Sequence, residues 1–118
     1  VIFDILGVRP RLYRPPHGKK SPWELRHLSK ANEIEVNWSV SASELRGKSA
    51  DWIAKQIVGK TQPGSIIALH DGYGNEHGTT RADKSITVQT LPLIINSLLE
   101  QGYSFVTVPE LLGQPAYD

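Results

Sequence analysis

The sequence predicts an α/β fold in which parallel strands are joined by helical crossovers. Segments of β character alternate with segments of helical periodicity in the order β-α-β-α-β-α-β, an order that implies parallel strands, right-handed crossovers and helices outside. Residues 65–69, SIIAL, form a short continuous apolar run of the kind found in strands buried on both faces. Three predicted strands end in conspicuous residues: Arg14-Pro-Pro-His17-Gly, Ser39 to Glu44, and His70-Asp71-Gly72. In parallel α/β folds sites lie at the C-terminal strand ends, so all three are expected on one rim.

Each element has a local reason. Residues 1–7 read as the end of a helix, with Val1, Ile2, Ile5 and Leu6 on one side and Gly7 as its stop. Arg9 to Tyr13 reads as a short strand, broken by Pro15-Pro16. Ser21-Pro22-Trp23-Glu24 carries an N-cap, a proline at the first helical position and a capping-box glutamate. That helix runs to about Asn32, with Leu25, Leu28 and Ala31 on one face. Ile34 to Val40 alternates loosely, as a strand does. After the polar loop SASELRGKS comes a helix over Ala50 to Val58, with Trp52 or Ile53, Ile57 and Val58 inward and Gly59 and Pro63-Gly64 as punctuation. Beyond the strand at Ser65 to Leu69 lies a polar loop, Gly72 to Lys84. Leu91, Ile94, Ile95, Leu98 and Leu99 place a helix over Ile86 to Gln101, with Pro92 marking its true start and Gly102 its end. Ser104 to Val108 reads as the last strand, and Val108-Pro109-Glu110-Leu111-Leu112 opens a short terminal helix.

The 118 residues suit one ordinary domain, and 39% hydrophobic content supports a modest core. A net charge of +1 indicates neither a nucleic-acid footprint nor an acidic tail. The basic cluster of Arg9, Arg11, Arg14, Lys19 and Lys20 is the one feature that favours an anionic partner. Without cysteine, disulfides and thiolate zinc sites are excluded. No apolar run approaches the roughly 20 residues that span a bilayer, and no secretory signal is visible. The opening, VIFDILGVRP, lacks an initiator methionine and reads as the interior of a longer chain.

YRPPHG (13–18), WSVSASEL (38–45), PGSIIALHDG (63–72) and ITVQTLPLIINSLLEQGYSFVTVPELL (86–112) together resemble the polysaccharide deacetylases, the NodB-homology domains of carbohydrate esterase family 4. The resemblance covers nearly the whole chain. It implies the C-terminal part of a distorted (β/α) barrel with parallel strands and outer helices. It also implies metal-dependent removal of acetyl groups from sugars: a metal polarises the acetyl carbonyl, an Asp base activates water, a His acid protonates the leaving group, and a backbone N–H holds the oxyanion.

Carried over residue by residue, the resemblance makes His70 the general acid; an imidazole titrates near neutrality, as that role requires. Arg14 matches the arginine that pairs with the base carboxylate and keeps it ionised. Pro15 and Pro16 stiffen the turn. His17 stands where a Tyr is commoner; its backbone N–H serves the oxyanion, its imidazole is available to substrate, and it is not read as a metal ligand. Glu44 and Leu45 fall where the family has Asp-Trp, so Glu44 becomes the carboxylate that tunes the acid and Leu45 loses a wall of the site. Asp51-Trp52 is a rival match, but it lies close to Pro63-Gly64. Ala68 replaces the usual Leu of the acetyl-methyl pocket, which is either wider here or filled by Leu69 or another residue, and Asp71 fixes the loop by hydrogen bonding.

The family's metal ligands and base lie in T-F-D-D-G and H-x-x-x-H stretches, and this sequence has neither. The chain is therefore expected to be the C-terminal half of a deacetylase domain, unstable until paired with an N-terminal half that carries a divalent metal, for which zinc and cobalt both suit His/carboxylate sites. Its expected partners are that half and a polysaccharide or oligosaccharide, with no nucleic acid and no membrane span. Its expected location is the cell envelope or outside the cell, by resemblance. Two other readings stand beside this one: a non-catalytic carbohydrate-binding or regulatory remnant, and an anion-binding α/β domain using Arg14, Lys19 and Lys20.

Overall fold

The computed structural model describes residues 2–19, 21–42, 47–71 and 85–118, and the side chains of all of these but Glu24, Leu25, His27 and Ser29. The chain forms two compact units, Val1–Asn37 with Val106–Asp118, and Trp38–Phe105.

In the first unit, helix α1 (Ile2–Leu6) leaves all its side chains exposed and stops at Gly7, whose positive φ lets its N–H reach the Phe3 carbonyl at 2.8 Å. The Arg9 guanidinium lies 5.1 Å from the Phe3 ring centre. Strand β1 (Leu12–Tyr13) pairs in parallel with β2 (Ile34–Glu35), Leu12 opposite Ile34. Between them run a 3₁₀ turn (Pro16–Gly18) and helix α2 (Pro22–Ala31), the connection a parallel pair needs. Leu28 of α2 is buried, whereas Ala31 is exposed and so lies off the inner face predicted for it.

Just before β1, residues 9–11 take on the chain's last residues in antiparallel fashion. Arg11 N–H donates to the Ala116 carbonyl at 2.9 Å, Asp118 N–H to that of Arg9 at 2.9 Å, and the Arg11 guanidinium pairs with the Asp118 carboxylate at 3.1 Å. Sequence reading missed this closure. Helix α5 (Val108–Leu112) begins where predicted: Thr107 donates its N–H and its hydroxyl to the Glu110 carboxylate, each at 2.7 Å.

The second unit is built on strand β3 (Val40–Ser41), helix α3 (Ala50–Lys60), strand β4 (Ile67–Ala68) and helix α4 (Ser85–Glu100). Strands β3 and β4 are parallel, Val40 opposite Ile67. Ser49 caps α3 by accepting the Trp52 N–H at 3.3 Å. Val40, Ile53, Ala54, Ile57, Ile94 and Leu98 form the core, with Ile67, Leu69, Ile86 and Leu93 packed against it.

Several expectations are corrected here. The single strand over Ile34 to Val40 is two strands with different partners, β2 on β1 and β3 on β4. Asn37, between them, donates to the Glu35 carboxylate at 2.7 Å, and the Ser39 hydroxyl accepts the Ile66 N–H at 3.1 Å. The Ser39 hydroxyl thus takes a main-chain N–H that a ladder would use. The strand over Ser104 to Val108 does not form; a strand exists only as one of a pair, and residues 104–107 have no strand partner among the described residues. The 65–69 run is not buried on both faces but half-buried throughout, since only Ile67 and Leu69 pack on the core. Gly59 lies inside α3 instead of ending it, and Pro92 lies inside α4 instead of starting it. On α4 the buried residues are Thr90, Ile94 and Leu98, while Leu91 and Leu99 are 44% and 52% exposed. The helix carries two apolar stripes, and periodicity alone does not say which one faces the core.

Candidate active site

Each unit has one strand end that carries residues predicted for the site. In the first, Arg14 follows β1 directly. Because β1 and β2 run parallel, their C-terminal ends lie side by side, and the guanidinium reaches across. Its Nε donates to the Val36 carbonyl at 3.0 Å and its Nη2 to that of Asn37 at 3.4 Å. Pro15 is buried and anchors the turn. Its carbonyl accepts the Gly18 N–H at 3.1 Å, and that of Pro16 accepts the Lys19 N–H at 3.3 Å. These bonds hold His17 at φ 58, ψ 13, a left-handed conformation that costs a non-glycine residue about 1–2 kcal/mol. Such strain is a mark of functional turns. The backbone of His17 is thus fixed while its imidazole is exposed, as are Arg14 and Pro16.

In the second unit, Leu69 and His70 follow β4. Leu69 packs on the hydrophobic core, as Ile67 does, and Ala68 is half-buried. His70 and Asp71 are exposed. The Thr87 hydroxyl donates to the His70 carbonyl at 2.9 Å, tying the strand end to the first turn of α4. Nothing in the helix pattern singled out Thr87; a hydroxyl residue just after a loop that begins at a candidate acid was the available signal.

Glu44 and Leu45 lie outside the described residues, as does Lys20. The rival pair sits at the start of α3, where Trp52 is 40% exposed beneath the Lys48 ammonium at 5.3 Å. Asp51 lines a groove of about 640 Å³ between α3 and α4, with Lys55, Lys60, Ser97 and Gln101. The anion cluster is largely engaged: Arg9 lies over Phe3, Arg11 pairs with Asp118, and Arg14 holds two carbonyls. Among the described residues, no group of three or more His, Cys, Asp or Glu could hold a metal ion, and no helix is long and apolar enough to cross a membrane.

No protein-family profile matches the chain. It is 32% identical over 111 residues to a peptidoglycan-N-acetylglucosamine deacetylase of Bacillus cereus, covering 94% of this chain and 38% of that protein. Its structure superposes on that of the Bc1960 peptidoglycan N-acetylglucosamine deacetylase, solved with an N-oxidanyl-benzamide, at a TM-score of 0.79 and 30% identity over 99% of this chain and 51% of the other. It also superposes on a family 4 acetyl xylan esterase of Clostridium thermocellum in complex with a cobalt ion, at a TM-score of 0.69 and 27% identity over 98% and 53% of the two chains. Fold and sequence together mark the chain as a relative of the polysaccharide deacetylases of carbohydrate esterase family 4. It spans about half the length of these solved relatives and less of the curated one.

Proposed function

We propose that residues 1–118 are the C-terminal half of a polysaccharide deacetylase domain, part of a distorted (β/α) barrel, and that they supply the acid and oxyanion groups for hydrolysing N- or O-acetyl groups from a glycan. The observation that carries this reading is the position of the candidate residues at strand ends within each unit. The RPPHG turn and His70 each follow a strand of a parallel pair, in a chain that matches a deacetylase over 94% of its length. The activities of these relatives support peptidoglycan, or another acetylated polysaccharide such as xylan, as the substrate. They also support the cell envelope or the exterior as the location.

In this reading water adds to the acetyl carbonyl, and the resulting oxyanion accepts the His17 backbone N–H. His70 then gives its proton to the departing amine or alkoxide as the C–N or C–O bond breaks, and acetate leaves. Arg14 and Glu44 keep the roles that the resemblance implies, orienting the base carboxylate and tuning the acid, while Leu45 leaves open the wall that the family's Trp covers. The cobalt-bound relative supports a divalent metal, zinc or cobalt, for the reaction. The described residues do not fit one, so metal and base are assigned to the N-terminal half.

The test is acetate release from N-acetylated chitin oligomers, peptidoglycan fragments and acetyl-xylan by this chain assembled with its N-terminal half. Release that stops on chelation and returns with zinc or cobalt is the expected result. Glycan binding with no release under any metal favours the non-catalytic remnant instead, a reading that Ala68 and Leu45 support as departures from the family pattern.

A further inference from the structure

We infer that Thr87 is a positioning residue for His70, an inference that rests on the reading of His70 as the acid. The ring of His70 is exposed, and the residue lies beyond the end of β4, outside the ladder with β3. Its neighbour Leu69 is anchored in the core on one side. On the other, the hydrogen bond from Thr87 Oγ1 to the His70 carbonyl, at 2.9 Å, fixes the peptide that follows the histidine. Together they set the direction of the Cα–Cβ bond on which the imidazole is carried.

Thr90, one turn further along α4, shows what a helical threonine does by default. Its hydroxyl donates to the carbonyl of Ile86, four residues back, at 2.6 Å. Thr87 sits in the first turn, where the residue four back precedes the helix, and its hydroxyl spans 17 residues of sequence to reach the strand end. An acid must come within about 2.6–3.2 Å of the atom it protonates. A misplacement of roughly 1 Å can cost 100-fold in rate, so this bond bears on chemistry more than on folding.

The experiment compares Thr87→Val, which keeps the shape and removes the hydroxyl, with Thr87→Ser, which keeps the hydroxyl, in the assembled enzyme. Two substrates are used: an N-acetylated chitin oligomer, whose amine must be protonated to leave, and 4-nitrophenyl acetate, whose phenolate leaves without a proton. Thr87→Val is expected to lower the ratio of glycan to nitrophenyl turnover about three- to tenfold, the weight of one hydrogen bond. The loss falls in kcat and not in KM, and Thr87→Ser restores the ratio. An unchanged ratio in Thr87→Val, equal losses on both substrates, or failure of Thr87→Ser to restore it overturns the inference. His70→Ala, measured alongside, separates the two levels: full glycan activity in that variant removes the acid assignment itself, and the role of Thr87 with it.

Discussion

Arg14 and Val36 are joined across two parallel strands by a hydrogen bond of 3.0 Å from the guanidinium Nε to the main-chain carbonyl. The bond fixes the guanidinium at the end of β1, and Val36 itself is only 6% exposed. Arg14→Lys replaces a planar fork with a single ammonium on a flexible stem, which does not satisfy the carbonyls of Val36 and Asn37 together. The expected cost is about 1 kcal/mol of stability, read as a lower urea midpoint with an unchanged slope.

The two apolar stripes of α4 separate in a pair of substitutions. Leu98 is 1% exposed, and Leu98→Ala is expected to cost about 2–5 kcal/mol. Leu91 is 44% exposed, and Leu91→Ala in this chain is expected to cost less than about 1 kcal/mol. Equal losses in urea denaturation contradict the packing of α4 on α3.

Ser49 is the other local device that the second unit depends on. Its hydroxyl oxygen accepts the Trp52 N–H, one of the donors left open at the start of α3. Ser49→Ala is expected to lower stability by about 1 kcal/mol. Ser49→Asp, which keeps an acceptor and adds a charge suited to the helix N-terminus, is expected to hold it, as thermal melts of the two variants would report.

The cap of α5 carries a pH dependence. The Thr107 hydroxyl, and then its backbone N–H, hold the Glu110 carboxyl below its ordinary value near 4.5. A carboxyl with a depressed folded pKa contributes stability above its unfolded pKa and loses it as pH falls through the folded value. The cap therefore stands at neutral pH and weakens only below about 4.5, and Glu110→Gln is expected to flatten that acid limb. The side-chain carboxyl resonance of Glu110, followed by NMR, gives the titration directly.

Much of this architecture was legible because it is local. The end of α1 at Gly7 and the start of α5 at Val108-Pro109-Glu110 follow from cap chemistry written in adjacent residues. What depends on a partner was not legible. Residues 34–40 alternate as one strand, yet their two ends answer to different neighbours, and residues 104–107 have the composition of a strand without a mate. The site divides the same way. The candidates at 14, 17 and 70 stand out by residue type, but the groups that hold Arg14 are backbone carbonyls, which every residue has. The bond that holds the His70 peptide comes from a threonine that looks like any other helix residue.

The central claim, that the imidazole of His70 delivers the proton to the leaving group, is tested most directly by the rate of acetate release from an N-acetylated chitin oligomer in His70→Ala. With this chain assembled with its N-terminal half and metal supplied, the rate is expected to fall by roughly 10²–10⁴-fold while glycan binding persists. A His70→Ala enzyme that releases acetate at the unsubstituted rate contradicts the account.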